Sequence, residues 1–232
     1  MRTHPYPITP FQRFFYIWMP PLIAIAVLAL AMASTDLYKV FAADEVGLLE
    51  TIHIIIPLVG FVIAVRLFFI YRKAGNRTGM ALIGFAALVC LYIGGEEASY
   101  GQHFFGWKAQ GLVLELNDQQ ETNLHNMSYW FDQKPRLVLE LAIIFGGLLL
   151  PIFPDFFKKY VPKGLWLYAP TTLFLPTSVL MVLVRLPERL NFEGAALFPS
   201  IIRYSELQEV YLYLFITLYL YFVLIIERHH RG

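Results

Sequence analysis

Acidic residues and histidines stand at helical spacing in parts of this chain that are otherwise strongly apolar. Glu96 and Glu97 end an apolar run and begin the stretch "EEASYGQHFFG", and Glu50 and His53 are three residues apart in "LLETIHIII". Residues three apart on a helix share one face. Carboxylates and imidazoles on a shared face are suited to proton transfer or to metal binding.

Further residues of the same types occur later in the chain. Glu206 and Glu209 are again three apart in "RYSELQEVY", and Glu121 and His125 are four apart in "NDQQETNLHN". His103 lies within the "EEASYGQHFFG" stretch. The elements that carry these residues decide whether they can meet.

The composition predicts an all-α, polytopic membrane protein. Hydrophobic residues make up 58% of the 232 residues and charged residues only 15%. The apolar blocks reach the roughly 20 residues that a helix needs to cross a bilayer, and they lack the ten-residue alternation of an outer-membrane barrel. We predict one integral membrane domain over 1–232, a bundle of six transmembrane helices near 14–34, 47–71, 79–99, 137–153, 165–185 and 205–226. A long extracytoplasmic loop joins helices three and four, at about 100–136.

The basic residues predict the orientation of the helices. One side of the predicted membrane collects Arg2, Arg13, Arg72, Lys73, Arg77, Lys158, Lys159, Lys163, Arg228 and Arg231, with Asp155 and Glu227 as its acids. By the positive-inside rule this side is cytoplasmic. Both termini are therefore expected in the cytoplasm, and the chain in the cytoplasmic (inner) membrane. The sequence has no basic patch with interleaved aromatic residues, so nucleic acid is not an expected partner.

This topology brings the acids of three helices to one level at the outer face of the membrane. Charge in a low-dielectric environment costs several kcal/mol unless it is compensated. The carboxylates could be protonated, could pair with basic residues, or could bind a metal. The basic residues at the same level are Arg185, Arg189 and Arg203, which could also hold the anionic head group of a substrate.

A divalent metal could be held in two ways, which the sequence leaves open. One is a di-iron centre of the kind built from Glu-x-x-His pairs and single glutamates in helical bundles. Its ligands would be Glu50 with His53, Glu121 with His125, Glu96 or Glu97, and Glu206 or Glu209. The other is a zinc site with an open position for water, whose ligands would be His53, His103 and His125. Glu96, Glu97 and Glu121 are the predicted catalytic residues, as bases or as ligands.

Simpler interpretations are compatible with the same residues. Glu96 and Glu97 could solvate the end of a helix. Glu206 and Glu209 could stabilise a helix N-terminus through its dipole. Asn123 and the other amides of its segment could be ordinary loop residues.

The combination of "EEASYGQ" and "NDQQETNLHN" resembles a group of bacterial polytopic membrane proteins without an established activity. Their pattern is Glu-Glu-x-Ser-Trp-Gly-Gln, followed by Asn-x-Gln-x-Glu-x-Asn-Leu-His-Asn. The resemblance covers about 35 residues, from Glu96 to Asn126, and Tyr100 takes the Trp position. It implies that the residues of these two segments act as a unit.

Two classes of function follow from the sequence. The first is a membrane-embedded enzyme, metal-dependent or relying on a glutamate base, that acts on a lipid or lipid-linked substrate at the extracytoplasmic interface. The second is a non-catalytic accessory or binding subunit of a membrane-protein complex, in which the acids bind a cation or a partner. A transporter is disfavoured, because the inner halves of the spans are nearly free of acids and inverted repeats are not visible.

Overall fold

The protein is all-helical. The computed structural model describes residues 1–42, 47–108, 111, 122, 123, 129–195 and 197–231, without the side chains of His103, Tyr129, Phe131, Asp132 and Arg231. It is 78% helix, and the described residues contain no strand. The all-α prediction is therefore confirmed.

Five helices in the described residues are long and apolar enough to cross a membrane. They are Pro10–Ala33, Leu48–Lys73, Arg77–Glu97, Gln133–Ile152 and Tyr204–His230. They coincide with five of the six predicted spans, those near 14–34, 47–71, 79–99, 137–153 and 205–226. Their length and composition indicate that the protein associates with a membrane.

The remaining predicted span, 165–185, is divided into shorter pieces. A 3₁₀ helix over Lys163–Tyr168 is followed by extended backbone at Ala169 and Thr171, a second 3₁₀ turn at Thr172–Phe174 and an α-helix at Leu175–Leu183. Pro170 explains the break, because proline restricts the preceding residue to extended conformations and cannot donate a backbone hydrogen bond. The apolar composition of the range did not reveal this interruption.

The chain divides into two compact units. The first unit comprises Met1–Ala42 with Leu141–Gly232, and the second comprises Ala43–Glu140. The boundary at 140/141 falls within the helix Tyr129–Ile143. The single domain over 1–232 stays a prediction.

The second unit is built around a helical hairpin, Leu48–Lys73 and Arg77–Glu97. Gly75, at φ +66°, lies in the short turn, and the Asn76 side chain accepts a hydrogen bond from Gly79 N at 2.9 Å, which caps the second helix. Gly94 lets the helices approach closely, because a Cβ atom there would lie 3.1 Å from Leu58 Cδ2. The start of the first helix thus lies beside the end of the second.

In the first unit, the final helix, Tyr204–Arg231, runs antiparallel to Pro10–Ala33, the first apolar helix of the chain. The Tyr16 hydroxyl donates to Leu218 O at 2.9 Å, and the Tyr211 hydroxyl donates to Pro20 O at 2.8 Å. The final helix is also the most deeply packed of the five spans. In its most apolar stretch of 18 residues 78% of the residues are buried, against 22–28% in the other four spans. Its aromatic residues Tyr211, Phe215 and Phe222 are buried and therefore belong to its packing surface.

The N-terminal segment closes one end of the first unit. Arg2 N donates to Pro151 O at 2.8 Å, and the Arg2 guanidinium donates to the carbonyls of Trp166 and Ala169 at 2.6 and 3.1 Å. The 3₁₀ helix ends at Tyr168 and the backbone at Ala169 is extended, so the Ala169 carbonyl lies outside the helix. The Arg2 side chain donates to this carbonyl and also to Trp166 O, which already accepts from Ala169 N at 3.2 Å.

Alanine substitutions at the neighbouring residues Gly147 and Gly146 test how tightly the helices of the first unit pack. A methyl group on Gly147 would overlap the Phe215 ring and the Ser178 hydroxyl, whereas nothing lies within 4 Å of one on Gly146. We expect Gly147→Ala to lower the free energy of unfolding by about 1–3 kcal/mol. Gly146→Ala should leave it unchanged or raise it by up to about 1 kcal/mol. Unfolding of the detergent-solubilised variants measures the difference, and equal stability of the two would contradict this packing.

Candidate functional site

Glu50, His53 and Glu97 come together in the second unit. His53 Nδ1 lies 3.5 Å from Glu97 Oε2 and 3.9 Å from Glu50 Oε2. One donor atom from each residue lies within 4.8 Å of the other two, a spacing at which the three could hold a metal ion. We call these three residues the cluster.

The helical hairpin explains why these residues meet. Glu50 and His53 are one turn apart near the start of Leu48–Lys73, so they share a face. Glu97 is the last residue of Arg77–Glu97, the antiparallel partner. Glu50 also lies in the first helical turn, where the helix dipole favours a negative charge.

Burial makes the charge of the cluster energetically important. The His53 side chain is fully buried, and the side chains of Glu50 and Glu97 are only 18% and 12% exposed. Two carboxylates around a neutral imidazole carry two negative charges in a poorly solvated place. Protons, basic side chains, hydrogen-bond donors or a bound cation can offset that charge.

The spacing of the donor atoms is compatible with a small divalent cation. A tetrahedral ion with bonds of about 2.1 Å separates its ligand atoms by about 3.4 Å. The distance between His53 and Glu97 is already close to this value, and the distance between His53 and Glu50, 3.9 Å, is about 0.5 Å longer than it. Imidazole nitrogen with carboxylate oxygen suits zinc, manganese or ferrous iron.

Glu96, the neighbour of Glu97, has a different environment. It is 3% exposed, and it hydrogen-bonds to the side chain of Tyr100. Burial, and then this hydrogen bond, raise the pKa of Tyr100 well above its ordinary value. Tyr100 thus stays protonated at physiological pH and can donate to the Glu96 carboxylate.

A strained turn follows the two glutamates. Ser99, Tyr100 and Gly101 have φ values of +43°, +51° and +103°, so three consecutive residues are left-handed. For the two residues that are not glycine this conformation costs on the order of 1–2 kcal/mol each. Other contacts must hold the turn in place.

Thr122 and Asn123 supply those contacts. Asn123 Nδ2 donates to Ser99 Oγ at 3.0 Å, Thr122 Oγ1 donates to Ser99 O at 2.6 Å, and Thr122 N donates to Gln102 Oε1 at 2.6 Å. Ser99 and Asn123 are both buried. These bonds, which we call the clasp, join the two segments of the pattern noted in the sequence.

The clasp was not predicted as such. The sequence marked Ser99 and Gln102 only as part of a pattern, and Asn123 could have been an ordinary loop residue. In the structure Asn123 is 1% exposed and bonded to Ser99, so it is not an ordinary solvated loop amide. Only the shared pattern hinted at this pairing, since Ser99 and Asn123 are 24 residues apart in the sequence.

Several predicted site residues lie outside the described part of the chain. Glu121 and His125 are not among the described residues, and neither is the His103 side chain, although its backbone belongs to the helix Gln102–Phe105. Their roles as ligands or bases stay predictions.

The remaining predicted ligands belong to the first unit. Glu206 and Glu209 lie in the first two turns of the final helix, and Glu209 is buried. Arg203 Nη2 contacts Glu206 Oε1 at 3.0 Å, and Arg203 Nη1 donates to Ala42 O at 3.0 Å. That Glu206 and Glu209 join the acids of the other helices stays a prediction.

Two of the three predicted head-group arginines pair with an acid of their own unit. Arg185 pairs with Glu188 at 2.6 Å, and Arg203 pairs with Glu206 as described. Arg189 ends the short helix Leu186–Arg189 and is exposed. A role for these arginines in substrate binding stays a prediction.

Comparison with known proteins gives no match: no family model, no curated protein and no solved structure resembles the chain closely enough to identify it.

Two substitutions at Ser99 separate the contribution of its hydrogen bond to Asn123 from the cost of its left-handed backbone. Both Ser99→Ala and Ser99→Gly remove the hydroxyl that Asn123 binds, but only glycine relieves the left-handed strain. We expect Ser99→Ala to destabilise the turn by about 1–3 kcal/mol and Ser99→Gly to be milder by about 1 kcal/mol. Hydrogen exchange of residues 98–106 measures the opening of the turn. Faster exchange in the glycine variant than in the alanine variant would be inconsistent with a strained turn held by the clasp.

Proposed function

We propose that this chain is a membrane-embedded enzyme that holds a divalent cation at Glu50, His53 and Glu97 and hydrolyses a lipid or lipid-linked substrate at the extracytoplasmic interface. The observation that carries the proposal is the position of the buried His53 Nδ1, 3.5 and 3.9 Å from carboxylate oxygens of two different helices. Two acids and a neutral imidazole balance the charge of one divalent ion.

The hydrolytic step uses groups that this site can supply. A bound divalent cation would lower the pKa of water and polarise a carbonyl or phosphoryl oxygen. A carboxylate takes a proton from water, the water oxygen bonds to the acyl carbon or phosphorus, and the leaving oxygen receives the proton as its bond breaks. Glu96 and Glu121 are the further candidates for this base.

The orientation of the hairpin supports an extracytoplasmic site. The turn at residues 74–76 is flanked by Arg72, Lys73 and Arg77. The positive-inside rule assigns such a turn to the cytoplasm. The cluster lies at the opposite end of the same hairpin, because Glu50 begins the first helix and Glu97 ends the second.

The divided segment after residue 162 is part of the proposal as a sixth membrane crossing. Tyr168 OH donates to Glu227 Oε1 at 2.5 Å, and Gln208 Nε2 donates to Met181 O at 3.3 Å. The 19 residues between Gln208 and Glu227 extend about 28 Å along a helix, close to the thickness of a hydrocarbon core. With six crossings of the inner membrane, an even number, both termini lie on the same side, the cytoplasm.

Exposed aromatic residues beside the site favour a lipid substrate. Phe104, Phe105 and Trp107 follow the strained turn directly and are 67%, 79% and 42% exposed. Aromatic residues at a helix end are typical of the membrane interface. A substrate that is itself in the membrane could therefore reach the cluster from the side.

Metal analysis tests the cluster. We expect purified protein supplied with Zn²⁺, Mn²⁺ or anaerobic Fe²⁺ to retain one of these ions, which elemental analysis detects after removal of the excess. His53→Ala and Glu97→Gln should lose most of it, and acidification should release it as the ligands take up protons. Glu227→Gln is the matched control, because Glu227 is also buried in a span but pairs with Tyr168.

Product analysis tests the reaction. Incubation of the metal-loaded protein with a membrane lipid extract should release a fatty acid or a phosphorylated head group, detected by mass spectrometry. Glu97→Gln should slow this release by at least about a hundredfold. A folded protein that binds none of the three ions and releases no product would overturn the proposal. If such a protein retained a membrane partner that Glu97→Gln lost, the accessory-subunit function would replace it.

A further inference from the structure

The connection between the fourth apolar helix and the divided segment combines basic and aromatic side chains on its surface. In residues 153–165, here called the basic connection, Phe153, Phe156 and Tyr160 are 56%, 56% and 66% exposed. Three lysines of the connection are also exposed, against a single acid, Asp155; they are Lys158, Lys159 and Lys163. None of these residues belongs to the cluster.

Lys159 is held among the aromatic rings. Its Nζ lies 5.0 Å from the centroid of the Phe156 ring and 4.9 Å from that of the Tyr160 ring. The two rings are themselves in contact, with centroids 5.5 Å apart. Cation–π contact thus keeps an ammonium group and two apolar rings together at the surface.

The N-terminal segment ties down the chain on both sides of the basic connection. Arg2 N donates to Pro151 O before the connection, and Arg2 O accepts from Thr172 N after it, each at 2.8 Å. The Arg2 guanidinium also lies 4.5 Å from the Trp166 ring centroid. Because both ends are fixed, the loop presents its lysines and rings in a defined arrangement.

We propose that the basic connection binds the phosphodiester head group of an anionic glycerophospholipid in the cytoplasmic leaflet. Charge complementarity favours this ligand, since three lysines and one acid face an anionic surface. The connection directly follows the apolar helix that ends at Ile152, which places it at the membrane interface. The lysines bind the phosphate, and the exposed rings lie at the level of the glycerol and the acyl carbonyls.

A second basic loop of this chain provides a matched control. Arg72, Lys73 and Arg77 surround the turn of the helical hairpin and are exposed, and the positive-inside rule predicts the same membrane side for them. No aromatic residue lies within residues 72–77, the adjoining Tyr71 is buried, and Phe69, which is 50% exposed, lies one turn further into the helix. The hairpin turn carries three basic residues and no acid, so charge alone would make it at least as good a site as the basic connection, whereas the proposal requires basic and aromatic groups together.

Native mass spectrometry of the detergent-solubilised protein tests the proposal. Phosphatidylglycerol and phosphatidylcholine with identical acyl chains are titrated, and the dissociation constant of the first bound lipid is compared. We expect phosphatidylglycerol to bind at least about tenfold more tightly than phosphatidylcholine. The triple variant K158Q/K159Q/K163Q should lose this preference, and R72Q/K73Q/R77Q should change it less than about twofold.

Two further measurements make the result decisive. F156L/Y160L keeps the charges and should weaken phosphatidylglycerol binding at least about threefold, because each aromatic contact contributes on the order of a kcal/mol. Inorganic phosphate should not displace the lipid, and circular dichroism with thermal unfolding shows that each variant is folded. Equal losses in the two triple variants, displacement by inorganic phosphate, or no preference between the two lipids in the wild-type protein would each overturn the proposal.

Discussion

The cost of burying two carboxylates beside one imidazole constrains the whole second unit. Glu50 and Glu97 come from the two helices of the hairpin, at its open end, and meet at His53, where little water can solvate them. Such a group persists only if protons, basic side chains, hydrogen-bond donors or a cation offset its charge. Gly94 allows the close approach of the two helices that carry these side chains, and the strained turn follows directly after Glu97.

The same requirement, that polar groups in a membrane find partners, explains the first unit. Pro170 interrupts a segment that would otherwise satisfy its backbone groups within a helix. Arg2 bonds carbonyls next to the break, and the hydroxyls of Tyr16 and Tyr211 bond carbonyls of neighbouring helices. These bonds orient the helices as well as satisfy their backbones, since each requires one particular antiparallel register.

Part of the candidate site could be predicted from the sequence, and part could not. Glu50 and His53 were predictable partners because they are three residues apart on a helix, and Glu97 because the topology brings its helix end to the same level. The bond from Asn123 to Ser99 was not, because it joins residues 24 apart across a loop and depends on a left-handed backbone at Ser99 that serine rarely adopts. The interruption of the 165–185 span was missed because hydropathy does not weigh a single proline.

The helical class, the approximate position of five spans and the spacing of acids and histidines could be read from the sequence, since they depend on local composition and on the helical repeat. Only the folded structure shows which acids meet in the second unit, that Glu96 bonds to Tyr100 while Glu97 lies beside His53, and that Thr122 and Asn123 hold the turn. Helix formation is a local property, whereas contacts between distant residues depend on how closely two backbones approach. That approach depends on the side chains of both helices, as at Gly94, where the absence of a side chain makes room for Leu58 of the other helix.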